Sequence, residues 1–319
     1  MKLLNRTAVS ALIVTLSSGS GAFAQVGVFT KEDLVKYTPE WKGERFDDGR
    51  PKVSDGIVER MKAVTLEEAW ATLRSEGFTH QYEEGWLSIH PENVLVGRAL
   101  TAVWMPGRPD VHKVVAEQGE KDGRIGGMNA WPVDLLQKGD VYVADHFGLH
   151  VDGASIGDNV GNAIYANSGN GIVYDGSVRD IEGLQELENF TSFVRTYHPS
   201  HHFSNLGRGL NSTMMGINSP IRIGSAMVMP GDVVLGRSGG VIFIPAHLAE
   251  KVVTQSELTR LRDMFGHLRL REGTYTPGEI DTRWTEAIED DFWQWLADNA
   301  ADVPVPEDAV REMIRNRPE

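Results

Sequence analysis

Residues 157–180 read GDNVGNAIYANSGNGIVYDGSVRD, and this segment is the strongest indication of the fold class in the sequence. A glycine is followed by a helical pattern over Asn159–Asn167, a glycine-containing turn, and a β-prone run that begins at Ile172 and extends to Gly176. A loop carrying Arg179 and Asp180 comes next. The order loop, helix, strand, loop predicts a mixed α/β core.

The two ends of this stretch also predict a ligand site. Gly157 allows a tight turn, and Asp158 or Asn159 can cap the helix, which leaves unpaired backbone N–H groups facing the loop. Such a helix start binds carboxylates or phosphates. The strand delivers Arg179 and Asp180 to the end of the sheet where ligands of α/β folds bind. Taken alone, an Arg-Asp dipeptide in a loop is usually a surface ion pair, and Gly-Asp-Asn is usually only a helix cap.

The spacing of these residues resembles the signature of the RraA-like family, which includes 4-hydroxy-4-methyl-2-oxoglutarate aldolases. Asp158 is followed by twenty residues and then by Arg179-Asp180. Four flanking segments are also similar to family strands, namely VGRALTA at 96–102, GDVYVAD at 139–145, MPGDVV at 229–234 and GVIFIP at 240–245. The resemblance extends from about Ile57 to Val253.

The resemblance implies an α/β fold with a swivelling β/β/α-type mixed-sheet core, assembled as a homotrimer or hexamer with active sites near subunit boundaries. It implies a lyase that cleaves 4-hydroxy-2-oxo diacids to pyruvate or decarboxylates oxaloacetate. The backbone of Gly157, Asp158, Asn159 and Val160 would hold the substrate carboxylate. Arg179 would contact that carboxylate and the C2 oxygen, Asp180 would ligate Mg²⁺ or Mn²⁺, and Asp158 would orient water at the metal. Arg179 and Asp158 are thus the candidate catalytic residues.

The same chemistry follows from the residues themselves. Breaking the C3–C4 bond of a 2-oxo acid leaves an enolate, which needs either a lysine Schiff base or a cation at the C2 oxygen. No lysine occurs from Gly139 through Glu250. The metal route is therefore the one available locally, and carboxylate ligation favours Mg²⁺ or Mn²⁺ over zinc.

Hydrophobic periodicity divides the chain into a leader at 1–24, an extended arm at 25–56, a catalytic core at 57–253 and a C-terminal helical extension at 254–319. Within the core we expect one helix from Ile57 to about Ser75 and further helices at Ile181–Glu188 and His247–Phe265. The turn at Pro230-Gly231-Asp232 predicts antiparallel pairing of the runs on its two sides. Short strands are expected at 94–103, 141–144, 172–174, 221–223, 227–229, 233–235 and 241–244.

The C-terminal extension is expected to contain an amphipathic helix. Its apolar residues recur at helical spacing, which predicts a packing face within the chain or across a subunit contact. The stripe comprises Trp284, Ile288, Phe292, Trp295 and Leu296.

The first residues predict export. Lys2 and Arg6 precede an apolar run that is too short to span a membrane, and Ala22-Phe23-Ala24 is typical of a signal-peptidase site, so we expect cleavage before Gln25. Cleavage would leave a soluble periplasmic or secreted protein with no membrane partner. The formal net charge of -14 makes nucleic acid a poor partner, and the absence of cysteine excludes disulfides and thiol catalysis.

Several alternatives remain open on the sequence. His198, His201 and His202 could bind zinc or copper, or form a lid over the substrate. The enzyme could instead be a lyase or hydratase acting on a sugar- or aromatic-derived oxo acid, or the chain could be a non-catalytic RraA-like binding protein. The proton-transfer residue is not assigned by any motif.

Overall fold

The computed structural model describes residues 29–149, 153–200 and 211–317. In these ranges the helices are Lys31–Tyr37 (α1), Asp55–Met61 (α2), Leu66–Ser75 (α3), Pro109–Lys121 (α4), Asp158–Ser168 (α5), Ile181–Gln185 (α6), Ala249–Glu272 (α7), Pro277–Ile280 (α8), Glu286–Asp298 (α9) and Glu307–Arg315 (α10). The strands are Tyr82–Glu83 (β1), Leu87–Ile89 (β2), Leu95–Pro106 (β3), Asp140–Leu149 (β4), Ile172–Val178 (β5), Ser192–Tyr197 (β6), Ser212–Ile217 (β7), Ile221–Ile223 (β8), Ala226–Val228 (β9), Val233–Arg237 (β10) and Gly240–Ile244 (β11). The predicted mixed α/β class is confirmed.

The nine-stranded sheet curls round on itself. Its strand order is β1-β11-β10-β3-β4-β5-β6-β2, with β7 added beside β3. Strands β3, β4, β5 and β6 run parallel to one another. All other pairs in this sheet are antiparallel, including those that β3 forms with β10 and β7 and that β6 forms with β2. Because β1 and β2 lie at opposite ends of this order yet are joined by only residues 84–86, the connection brings the two ends of the sheet together.

Strand alternation gives the curled sheet an inner and an outer core. The inner core contains Val143, Val173 and Phe243, and the β8–β9 hairpin packs into it through residues such as Ile223. The outer core has two parts. Side chains of β3, β4 and β5 pack against α5 and the segment before β4, and side chains of β10 and β11 pack against α2, α3 and α7. Both faces of the central strands are thus covered, as is usual for parallel sheets.

The arm is not wholly extended, since it contains α1, but it packs against the core as expected. Arg50 is fully buried and pairs with Asp48 at 2.7 Å and with Asp140 at 3.0 Å. Arg98 donates to the Val53 carbonyl at 2.7 Å, and the guanidinium groups of both arginines lie over the ring of Phe46. The arm is therefore fixed to the strand starts by buried charge-assisted hydrogen bonds.

The C-terminal extension forms its own hydrophobic cluster. Phe292 is fully buried and packs on Phe265 of α7 with ring centroids 5.6 Å apart. Ile288 and Leu296 are also buried, while Trp295 is only partly so. The stripe expected on this helix is thus covered within the chain.

Several expectations about the elements were wrong. Residues 57–75 form two helices, because Thr65 begins α3 with a capping box to Glu68 and interrupts the run. Helix α6 ends at Gln185, three residues before the expected end, and α7 continues to Glu272, seven residues beyond the expected end at Phe265. Helix α4 and strands β6 and β7 were not expected at all.

The runs on either side of Pro230-Gly231-Asp232 do not pair with each other. The N–H of Gly231 donates to the Ala99 carbonyl at 2.9 Å, and the Asp232 carbonyl accepts the Ala99 N–H at 2.8 Å. The turn is therefore docked on β3, so β10 pairs with β3 and β11 while β9 pairs with β8.

The predicted leader lies outside the described residues. Among those described, no helix is both long and apolar enough to cross a membrane.

Candidate active site

Gly157 lies directly against Arg179 and Asp180. A Cβ at this glycine would overlap Asp180 Oδ2 and approach Arg179 Cζ to 2.9 Å. A parallel bridge between Ile156 and Val178 sets this contact, and the Arg179 N–H donates to the Ile156 carbonyl at 3.0 Å. The structure thus brings Gly157 into contact with Arg179 and Asp180, which lie 22 and 23 positions further along the sequence.

Arg179 and Asp180 form an ion pair at the edge of the sheet. Arg179 Nη1 lies 2.5 Å from Asp180 Oδ2, with the two side chains 27% and 37% exposed. Asp180 has a φ of 56°, a left-handed conformation that costs a non-glycine residue roughly 1 kcal/mol. Arg179 Nε is buried and has no hydrogen-bond acceptor among the described residues. Buried polar atoms of structural side chains are nearly always hydrogen-bonded. Both features are more typical of a functional site than of a surface ion pair.

Helix α5 begins beside this pair, but its N-cap is Gly157 and not Asp158 or Asn159. Glycine has no side chain that could cap the helix, so the side-chain cap expected from the sequence is absent. Asp158, the first helical residue, instead accepts the Asn159 N–H at its Oδ1, at 2.7 Å. The Gly161 N–H donates to the Gly157 carbonyl at 2.8 Å, and this is the first backbone hydrogen bond of the helix. The amides of Asp158 and Val160 have no recorded acceptor in the described part of the chain, as an anion site requires.

Asp158 lies between this helix start and α6. A Cβ at Gly183 would approach Asp158 Cβ to 2.8 Å, so the glycine on α6 makes room for the carboxylate-bearing residue. Asn159 is exposed and its side chain contributes no recorded contact here, whereas Asp158 and Val160 are half-buried. Of the four helix-start residues among the five predicted to bind substrate, the structure places Gly157 against the Arg179–Asp180 edge and Asp158 beside α6.

The loop before Gly157 rests on buried aromatic side chains. Ser155 Oγ hydrogen-bonds to the hydroxyl of Tyr174, whose pKa burial raises well above its usual range. His146 stacks on Tyr174 with centroids 5.3 Å apart, and its Nε2 lies 3.0 Å from Ser212 Oγ. This contact was not predicted from the sequence. Which face of the sheet the Tyr174 side chain occupies depends on how β5 pairs with its neighbouring strands. His146 is fully buried and supports the loop from behind.

His198 lies at the same end of the sheet. The Val178–Tyr197 register places it beside Arg179, and its N–H donates to the Val178 carbonyl at 2.9 Å. Its Nδ1 accepts the Ser200 N–H at 3.2 Å and lies 2.8 Å from Ser200 Oγ, which in turn accepts the Gly153 N–H at 2.8 Å. His201 and His202 lie outside the described residues, so the predicted three-histidine cluster stays a prediction.

A second polar group faces the sheet interior below the site. Arg195 on β6 pairs with Asp175 at 2.6 Å and with Glu83 at 2.8 Å, and its guanidinium lies 3.8 Å from the Trp86 ring centroid. Burial, with a smaller contribution from Asp175, raises the pKa of Asp145 on the adjacent strand. Since Glu83 and Trp86 belong to the segment that joins the two ends of the sheet, this network stabilises the closure.

The residues present fit Mg²⁺ or Mn²⁺ better than zinc. Asp180 Oδ2 binds Arg179, and no contact of its Oδ1 with the described residues is recorded. Mg²⁺ is commonly held by one or two carboxylates with water and substrate completing the shell. Within 29–149, 153–200 and 211–317, no three His, Asp or Glu side chains are grouped as an enclosed metal site would require.

Comparison with known proteins adds independent information. A sequence model of a family described as RraA-like, Aldolase/RraA, matches residues 51–243. The chain is 26% identical to protein DlpA of Legionella pneumophila over 185 residues, which are 57% of this chain and 27% of that protein. It is 30% identical to a putative 4-hydroxy-4-methyl-2-oxoglutarate aldolase of Halalkalibacterium halodurans over 93 residues, or 29% and 40% of the two chains. The chain thus matches well under two thirds of the length of these relatives.

Two solved structures share the fold. One, from Streptomyces coelicolor, is described as an unusual member of the RNase ES inhibitor RraA protein family. It superposes with a TM-score of 0.57 at 23% identity, over 68% of this chain and 100% of that one. An uncharacterized protein from Pseudomonas syringae gives 0.57 at 19% identity, over 75% and 98%.

Proposed function

The chain belongs to the RraA-like family, and from this premise we propose that it is a divalent-metal-dependent lyase acting on a small 2-oxo acid. The observation that carries the proposal is the convergence of Arg179, Asp180 and the start of α5 around Gly157. Together these groups offer what a 2-oxo acid needs, namely amides for a carboxylate, fixed positive charge for the C2 oxygen and a carboxylate for a cation. Breaking the C3–C4 bond would give pyruvate by aldol cleavage or by decarboxylation of oxaloacetate.

Substrate binding is assigned to the helix start and the arginine. The amides of Asp158 and Val160 would donate to the C1 carboxylate, with the helix dipole adding favourable charge. Arg179 would reach the same carboxylate and the C2 oxygen, because its planar guanidinium presents several donors in a fixed geometry. Asp158, held against Gly183, would orient a water molecule at the reacting carbons.

The bond-breaking step moves one electron pair. As the C3–C4 bond of oxaloacetate breaks, carbon dioxide leaves and the electron pair stays on C3, forming an enolate whose charge rests on the C2 oxygen. Arg179 would stabilise that charge as it develops, and protonation of C3 would then give pyruvate. In aldol cleavage, the C4 hydroxyl loses its proton instead and the departing fragment becomes a carbonyl compound.

A divalent cation bound at Asp180 would supply further positive charge at the C2 oxygen. Asp180 is suited to hold it because its side chain is exposed at the loop edge and carries a carboxylate oxygen with no recorded contact to the described residues. Zinc or copper binding by the histidine loop is the less favoured alternative, since Nδ1 of His198 already accepts from Ser200.

His198 is suited to act as a hydrogen-bond donor. A backbone N–H can only donate, so the bond from Ser200 assigns the lone pair to Nδ1 and the ring hydrogen to Nε2. A donor held in this form stabilises a developing oxyanion without transferring its own proton. We therefore assign to His198 a hydrogen bond from Nε2 to an oxygen of the substrate or of the leaving group. Proton transfer is assigned to a water molecule that Asp158 orders.

The proposed activity is tested by pyruvate release. The purified protein would be stripped with chelator and assayed on oxaloacetate and on 4-hydroxy-2-oxo acids, with Mg²⁺ or Mn²⁺ returned to half of each sample. Metal-dependent pyruvate supports the lyase. Full turnover in excess chelator contradicts metal dependence, and metal-dependent turnover only of sugar- or aromatic-derived oxo acids supports the alternative lyase or hydratase. No turnover of any oxo acid by a folded protein supports a non-catalytic binding role.

We further propose that the protein is exported and forms a homo-oligomer, either a trimer or a hexamer, with no nucleic-acid partner. The leader pattern over 1–24 supports export, and the family supports assembly. Sequencing the mature N-terminus tests the first proposal, with Gln25 expected. Light scattering of the processed protein tests the second, and a monomer at micromolar concentration contradicts it.

A further inference from the structure

A cavity of about 320 Å³ lies between the arm and the core. We name it the arm pocket. Its walls include aromatic, thioether and proline side chains, with two carboxyl groups, those of Asp232 and of Glu40, among them. The residues that matter here are Tyr37, Trp41, Phe78, Met229, Asp232 and His247.

The arm pocket is separate from the candidate active site. Val233, which follows Asp232, pairs with Arg98, and Arg98 also pairs with Asp140 at the start of β4. Asp232 therefore lies at the starts of the parallel strands, whereas Arg179 follows the end of β5. The walls contributed by 37–41 and 245–247 lie outside residues 51–243, which match the family model.

Asp232 gives the pocket an unusual electrostatic character. It is 5% exposed, and its carboxyl group accepts the Met229 N–H at 2.8 Å and a second hydrogen bond from the Ala246 backbone. No ion pair among the described residues includes it. Burial raises its pKa to about 7. An acid buried without a cationic partner is costly, and a bound cation would offset that cost.

The other ionisable groups around the cavity do not supply this charge. Glu40 on the rim is exposed and acidic, and Glu76 at the end of α3 pairs with Lys251 at 2.6 Å. Burial lowers the pKa of His247, which favours its neutral form near pH 7. The Nζ of Lys36 lies 5.2 Å from the centroid of the Tyr37 ring, and no ion pair among the described residues joins it to Asp232.

We propose that the arm pocket binds a small organic cation with an apolar body, of the arylalkylammonium class. The ammonium group pairs with Asp232 while the aromatic walls contact the body and contribute cation–π attraction. The size agrees, because an apolar cavity of about 150 Å³ accepts benzene, so roughly twice that volume holds a ring with a short aminoalkyl chain. The arm thereby adds a second ligand site to a family core.

The test is calorimetric titration of the full-length processed protein with 2-phenylethylammonium, and with 2-phenylethanol as its neutral counterpart. The ammonium compound is expected to bind at least about tenfold more tightly than the alcohol. Its affinity should rise between pH 5.5 and pH 8, because Asp232 loses its proton in that range while the ligand stays charged. Protonation of His247 at low pH acts in the same direction.

Variants separate the contributions. Asp232→Asn should lose the preference for the cation and most of the pH dependence, leaving only the part due to His247. Tyr37→Ala, at an exposed wall that the fold does not need, should weaken binding without unfolding the protein. Trp70→Ala is the matched control, since Trp70 is 46% exposed and lies outside the pocket. Equal affinity for ammonium and alcohol, or unchanged binding in Tyr37→Ala, overturns the proposal.

Discussion

Gly157→Ala tests the active site with the smallest available change. The glycine has a φ of -125°, which any residue adopts, so alanine brings no backbone strain. Its methyl group would overlap Asp180 Oδ2 and lie 2.9 Å from Arg179 Cζ, where ordinary contacts are 3.4–4 Å. The change therefore acts on the positions of two side chains and on little else.

The magnitude follows from that overlap. Arg179 must retreat by about 0.5 to 1 Å, and a misplacement of about 1 Å commonly costs about 10²-fold in rate. The free energy of unfolding should change by less than about 1 kcal/mol, because both displaced groups are partly exposed and a surface ion pair contributes only about 0 to 1 kcal/mol. We expect kcat/KM to fall about 10²-fold in a normally folded protein.

Pyruvate release from oxaloacetate at saturating Mg²⁺ measures the effect, with thermal melts of the same samples. Gly56→Ala is the matched control, because a Cβ there meets nothing within 4 Å. It should leave turnover unchanged. Wild-type turnover of folded Gly157→Ala would show that the Arg179–Asp180 edge is not where the reaction occurs.

Further predictions concern single residues. Arg179→Lys should lose about 10²-fold in kcat/KM at every metal concentration, whereas Asp180→Asn should be partly rescued by high Mg²⁺; a metal titration of both variants distinguishes them, and a near-wild-type lysine variant contradicts the assignment. His198→Gln, which keeps a neutral donor, should retain more kcat than His198→Ala, and equal losses would contradict a donor role. Phe292→Ala should lower the free energy of unfolding by about 3 to 5 kcal/mol in denaturant titrations, and a loss under 1 kcal/mol would mean that the C-terminal cluster packs loosely.

The elements whose signals are local could be predicted from the amino-acid sequence alone. The stretch from Gly157 to Asp180 gave the correct order of helix, strand and loop, since glycine, β-branched and helix-forming residues act over a few positions. It also supplied the candidate site, because both ends of one helix–strand unit return to the same edge of a sheet. The three- and four-residue spacing of apolar side chains likewise predicted the packing face of α9.

Strand pairing, in contrast, could not be predicted from the sequence and is known from the three-dimensional fold. Strands β6 and β7 were not predicted from the sequence, and their conformation is fixed by pairing with β5 and β3. The same long-range pairing docks the turn at Gly231 on β3, sets His198 beside Arg179 and buries Asp232 beneath the arm. The physical reason is that strand pairing depends on partners distant in sequence, whose side-chain packing and burial exceed any local β preference.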